Sequence, residues 1–104
     1  MIKKFTLYVG LNDKETKTQK IATLEAYKII ENLLLGLNIE GATIFEAKGL
    51  YKHESGEYTI ENTLRIELLF IEKTIVRQLV DSIKVILNQE SVAVQEEEVN
   101  SDLW

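Results

Sequence analysis

The sequence contains no cysteine, no proline and a single histidine, His53. Without cysteine there is no disulfide scaffold, no thiolate nucleophile and no zinc site that relies on sulfur ligands. One histidine removes histidine-rich metal sites, so neither a metal nor another cofactor is expected. Long apolar runs are missing too. The longest, Leu33-Leu34-Leu35, is broken by Gly36 and falls far short of the roughly 20 residues a membrane span requires. The basic start Met1-Ile2-Lys3-Lys4 is followed by neither an h-region nor a cleavage site. A membrane is therefore not an expected partner, and the cytoplasm is the expected location. Basic residues are in the minority, 12 against 17 acidic ones for a net charge of −5, which repels a phosphate backbone at long range and argues against a nucleic-acid partner. No Ser-His-Asp order, H-E-x-x-H, G-x-x-x-x-G-K or C-x-x-C occurs. With no polar residues converging on a reaction, no catalytic residue is expected and the chain reads as a non-enzyme.

What is present suffices for one core. At 104 residues, 45% hydrophobic and 28% charged, the chain fits a single domain and has too many apolar side chains for a disordered tail. Phe5, Leu7, Val9 and Leu11 recur with period two, which predicts a first strand with one buried face. The segment Asn12 to Lys20 has no period and reads as a loop, with Thr16-x-x-Gln19 and Thr23 as competing helix starts. Ala22, Ala26, Ile29, Ile30, Leu33, Leu34 and Leu37 fall at helical spacing, and Gly36 or Asn38 can supply the left-handed residue that closes this helix. Ala42–Lys52 and Tyr58–Ile71 read as two strands of a long hairpin around the turn His53 to Glu57. Ile75, Val76, Leu79, Val80, Ile83 and Leu87 mark a second helix, and Val92 with Val94 marks a short last strand before an acidic end.

The resulting order, β-α-β-β-α-β, predicts a ferredoxin-like α+β fold: an antiparallel four-stranded sheet covered on one face by two helices. The domain is read as residues 1–99, with 100–104 as a C-terminal tail. By parity Thr6, Tyr8, Phe45, Ala47, Arg65 and Leu69 fall on or near the other sheet face, which is too apolar to be left in water. Burial against a second copy is the expected remedy, so a homo-oligomer is predicted.

The stretch Asn38 to Tyr51, NIEGATIFEAKGLY, resembles the second strand of PII-like signalling proteins, with Gly41, Thr43, Glu46, Lys48 and Gly49 at the matching positions of a G-x-T-V-x-E-x-K-G pattern. The opening FTLYVGLND is similar to the first strand of PII-like proteins. A second resemblance, to a small uncharacterised bacterial family opening with L-Y-F-G-L and closing on Q-E-S-V, covers Leu7 to Leu11 and Gln89 to Val92 and bears on the fold alone. The PII-like resemblance implies a trimer, or at least a dimer, with nucleotide-binding clefts between subunits and a mobile loop between strands two and three. It implies a regulatory module that binds a small molecule. Candidate ligand residues are Glu46, Lys48, Gly49, Tyr51 and Arg65, of which Lys48, Tyr51 and Arg65 are read as bordering the open face. The chain departs from the family at the last strand, where Val94-Gln95-Glu96-Glu97-Glu98 stands in place of phosphate-neutralising bases; like charges at short range repel by about 332/(εr) kcal/mol per pair.

That acidic run supports an alternative, an acidic interaction module such as a phage or mobile-element inhibitor occupying a basic groove of a host protein. Glu96, Glu97, Glu98 and Trp104 are its candidate partner-binding residues. Trp104, the one tryptophan, costs about 2 kcal/mol when left in water and is expected to dock on its own or a neighbouring subunit. Glu46 and Lys48 share a strand face, with Glu67 as a candidate cross-strand partner. His53, at a polar turn, is expected to be dispensable.

Overall fold

The computed structural model describes residues 1–52 and 54–104, with Tyr51 described by its backbone alone; the expectation for His53 lies outside the described residues. Six elements follow in order: β1 (Ile2–Gly10), α1 (Thr23–Gly36), β2 (Thr43–Lys52), β3 (Tyr58–Leu68), α2 (Lys73–Ile86) and β4 (Ala93–Val99). The strands form one antiparallel sheet in the order β2-β3-β1-β4. This is the ferredoxin-like α+β plan, in which each helix carries the chain between strands that are not neighbours.

The alternation of β1 decides which face is buried. Phe5, Leu7 and Val9 point to the helices and meet Leu64, Ile66 and Leu68 of β3, with Ala26, Ile30 and Leu34 of α1 and Val76, Leu79 and Ile83 of α2 above them. All twelve are buried, and an aliphatic side chain of this size contributes about 1.5 to 3 kcal/mol on full burial. No helix among the described residues is long and apolar enough to cross a membrane.

Both helices stop in the same way. Asn38 and Asn88 adopt φ of 56° and 48°. Asn38 N–H donates to Leu35 and Ile39 N–H to Leu34, and after α2 Asn88 donates to Val85 and Gln89 to Lys84. These are paired Schellman closures, with asparagine rather than glycine in the left-handed position. Of the two residues offered by the sequence, Asn38 is therefore the one that closes α1.

The loop before α1 is organised by Asp13. One carboxylate oxygen accepts the backbone N–H of Glu15 and Thr16, the other accepts Asn88 Nδ2 at 2.8 Å. These hydrogen bonds, that from Asn88 foremost, hold the Asp13 carboxyl down at about 2. Thr16 thus belongs to a turn, and α1 starts at Thr23.

Two boundaries differ from expectation. The last strand runs seven residues and includes Glu96, Glu97 and Glu98, because the ladder pairs them with Phe5, Lys4 and Lys3 of β1. β3 ends at Leu68 rather than Ile71, because Phe70 turns to φ 56° and leaves the extended region.

Candidate functional site

The face of the sheet away from the helices carries Lys4, Thr6 and Tyr8 of β1. Register places Arg65 between Tyr8 and Phe45, and Glu67 between Thr6 and Thr43. On the far side β4 contributes Gln95 opposite Thr6 and Glu97 opposite Lys4. Thr6 is 2% exposed although no helix covers it, so the long side chains around it already close over the middle of this face.

The polar groups form one connected cluster. Glu67 Oε2 accepts Arg65 Nη2 at 2.6 Å and lies 3.3 Å from Lys4 Nζ. Lys4 Nζ is also 3.8 Å from Glu97 Oε1. The Arg65 guanidinium carbon stands 5.4 Å from the Phe45 ring centre and 5.9 Å from that of Tyr8, within cation–π range of both. Arg65 Nε is buried and has no hydrogen-bond partner among the described residues, a cost that a well-packed face does not leave standing. Two cations and two carboxylates cancel. Such a cluster suits a ligand that carries both signs, and offers a polyphosphate no surplus of positive charge.

A depression of about 690 Å3 opens at the Lys4 end of this face; Lys4, Thr43, Glu67, Phe70, Val99 and Leu103 are among the residues that line it. The strand ends, the segment before β2 and the segments after β3 and β4 together line it. Tyr8 and Phe45 remain 38% and 42% exposed.

The structure separates the predicted ligand residues. Arg65 is at the centre of the open face. Gly49 lies on the same side, where a Cβ would come within 2.9 Å of the Thr63 side-chain Oγ1, so a larger residue there would require the Thr63 hydroxyl to shift. Tyr51 pairs with Thr59 through its backbone, and its side chain lies outside the described residues. Glu46 and Lys48 alternate with these, on the side of Ile44 that faces the helices. Lys48 Nζ donates to Asn62 Oδ1, Asn62 Nδ2 to Gln19, and Gln19 Nε2 to Thr23 Oγ1. Lys48 therefore does not border the open face, and Glu67 is opposite Thr43 rather than opposite Glu46 or Lys48. Lys4 was missed by sequence reasoning, although period two places it with Thr6 and Tyr8.

The acidic run is divided between the faces, since neighbours on a strand point opposite ways. Glu97 joins the open-face cluster. Glu96 is clamped on the helix side, 2.7 Å from Lys3 Nζ and 2.9 Å from Lys73 Nζ. Its hydrogen bonds to Lys3 and Lys73 hold its carboxyl below the usual range, and the bond to Glu96 raises Lys3. Trp104 is fully exposed, so it docks on none of the described residues of its own chain.

No known protein family and no curated protein matches the chain by sequence. Solved structures do match by fold. A phage SAM lyase in complex with S-methyl-5'-thioadenosine superposes with a TM-score of 0.73 at 23% identity, covering 93% of this chain and 81% of that one. The periplasmic divalent cation tolerance protein CutA from Archaeoglobus fulgidus gives 0.67 at 13% identity, covering 99% and 88%. The GlnK–ATP complex of B. subtilis gives 0.57 at 16%, covering 92% and 84%. The PII-like resemblance thus holds at the level of the fold. The expectation of a non-enzyme is corrected by the first of these: the same architecture, over nearly the whole of this chain, is that of a lyase. An absent sequence motif was no evidence against catalysis, because residues brought together by cross-strand register leave no local signature.

Proposed function

We propose that this chain is a homo-oligomeric small-molecule enzyme that takes S-adenosylmethionine on its open sheet face and cleaves it as a lyase: the bond from the sulfonium sulfur to the γ-carbon of the methionine part breaks, its electron pair leaves with sulfur as S-methyl-5'-thioadenosine, and the substrate's own carboxylate oxygen bonds to that carbon, so the remainder leaves as homoserine lactone. The observation that carries this reading is the neutral Lys4–Glu67–Arg65–Glu97 cluster, flanked by Tyr8 and Phe45 and opening into the depression beside it. S-adenosylmethionine has a sulfonium cation, an ammonium group and a carboxylate. Carboxylates and aromatic faces attract the cations, and Arg65 or Lys4 receives the carboxylate. A triphosphate meets no such balance. The fold shared with the phage SAM lyase supports the same class of ligand.

The oligomer follows from the same face. One sheet layer covers a ligand from one side only, and Tyr8 and Phe45 stay partly in water. A second copy laid over them completes the enclosure that small-molecule sites require. The host-protein alternative has less to draw on, since Glu96 is tied to Lys3 and Lys73, and Glu97 approaches Lys4.

The test is incubation of the purified protein with S-adenosylmethionine, with the products separated by liquid chromatography and identified by mass. S-methyl-5'-thioadenosine accumulating with wild type and reduced at least tenfold in Glu67→Gln supports the reading. Stable S-adenosylmethionine together with no measurable binding of it refutes it.

A further inference from the structure

Among the described non-glycine residues, four have positive φ: Lys17, Asn38, Phe70 and Asn88. The two asparagines close helices, and asparagine tolerates this region. Lys17 belongs to the turn in which its N–H donates to the Asp13 carbonyl at 2.8 Å. Phe70, at the bend between β3 and α2, is not an asparagine and makes no such turn hydrogen bond among the described residues. A bulky side chain at φ 56° is strained, and the strain does not serve the core, since Phe70 is 48% exposed. Strain held in place without a packing reward is a mark of ligand clamps. Its position agrees: Phe70 lines the same depression as Lys4 and Glu67.

We infer that Phe70 is a binding residue, an aromatic wall on which the flat heterocycle of a purine nucleoside stacks while the ligand's charged end reaches the Lys4–Glu67–Arg65 cluster. This rests on the function proposed above and adds to it the residue that selects the nucleoside half. The two halves of the site answer to different parts of the ligand. The cluster holds charge, and the exposed ring holds a π face, which any base presents.

The test is titration of S-methyl-5'-thioadenosine into wild type, Phe70→Gly, Phe70→Leu and Phe70→Tyr, by calorimetry, with a thermal melt of each. Glycine relieves the strain at φ 56°, so Phe70→Gly is expected to melt at or above the wild-type temperature while binding about tenfold more weakly or worse, the size of effect that stacking on one aromatic ring supplies. Phe70→Leu keeps an apolar side chain without the π face and is expected to weaken binding likewise. Phe70→Tyr is expected to bind within about twofold of wild type, since its ring stacks equally. Folded glycine and leucine variants that bind like wild type overturn the inference and leave the proposed function standing. So does a tyrosine variant as weak as the glycine one. Wild type that binds neither S-methyl-5'-thioadenosine nor S-adenosylmethionine overturns the proposed function, and this inference with it.

Discussion

Glu67→Gln is the most informative single perturbation of the open face. One carboxylate oxygen serves both cations, Arg65 Nη2 at 2.6 Å and Lys4 Nζ at 3.3 Å, so the two positive charges are held within about 6 Å of each other. Glutamine keeps the shape and removes the charge between them. At 6 Å the bare repulsion runs from roughly 0.7 kcal/mol at the dielectric of water to roughly 2.8 kcal/mol at an effective value of 20. The side chains are 25% exposed for Lys4, 22% for Glu67 and 38% for Arg65, so solvent screening brings the figure towards the lower limit. With the attraction also lost, the variant should be less stable by about 1 to 1.5 kcal/mol, which for a domain of this size lowers the melting temperature by roughly 4 to 8 °C per kcal/mol. The assay is urea denaturation of both proteins at low salt and in 1 M NaCl, where the Debye length falls to about 3 Å. The gap should narrow in high salt. A variant as stable as wild type at low salt, or a gap that ignores salt, refutes the electrostatic account of this cluster.

The two asparagine closures should respond oppositely to glycine. Asn38→Gly frees a left-handed position and should leave stability unchanged or raise it by up to about 1 kcal/mol, whereas Asn88→Gly also removes the donor to Asp13 and should lower the melting temperature. Asp13, held at about 2 from an ordinary 3.8, contributes stability that is present above about pH 4 and lost as pH falls towards 2. Acid titration of unfolding should therefore show a limb between pH 4 and 2 that is smaller in Asp13→Asn, and identical acid limbs would contradict the assignment.

How much of this was legible in the sequence depends on the interaction concerned. The period of Phe5, Leu7 and Val9 and the spacing of Leu79 and Ile83 report burial directly, and with them the element order and the fold. The extent of β4 did not show, because Gln95 to Glu98 has no alternation of its own; those residues are extended only because Lys3, Lys4, Phe5 and Thr6 lie opposite them. Register explains the error at Lys48 as well. Counting alternation from Ile44, which packs on the core, places Lys48 on the helix side, but a family motif read along the strand draws attention to all its matched residues alike. Lys4 and Glu67 become a site only when β1 and β3 are aligned. Nothing in the sequence marks Phe70, because phenylalanine has no preference for the positive φ that it adopts at the bend between β3 and α2.

The central claim is that the neutral open-face cluster and its depression hold S-adenosylmethionine between copies of this chain. Native mass spectrometry of the protein incubated with S-adenosylmethionine, alongside Glu67→Gln, reads assembly and ligand together. The account predicts an oligomer that retains S-adenosylmethionine or S-methyl-5'-thioadenosine in the wild type and loses it in the variant. A monomer, or an oligomer with no retained ligand at saturating S-adenosylmethionine, would contradict it.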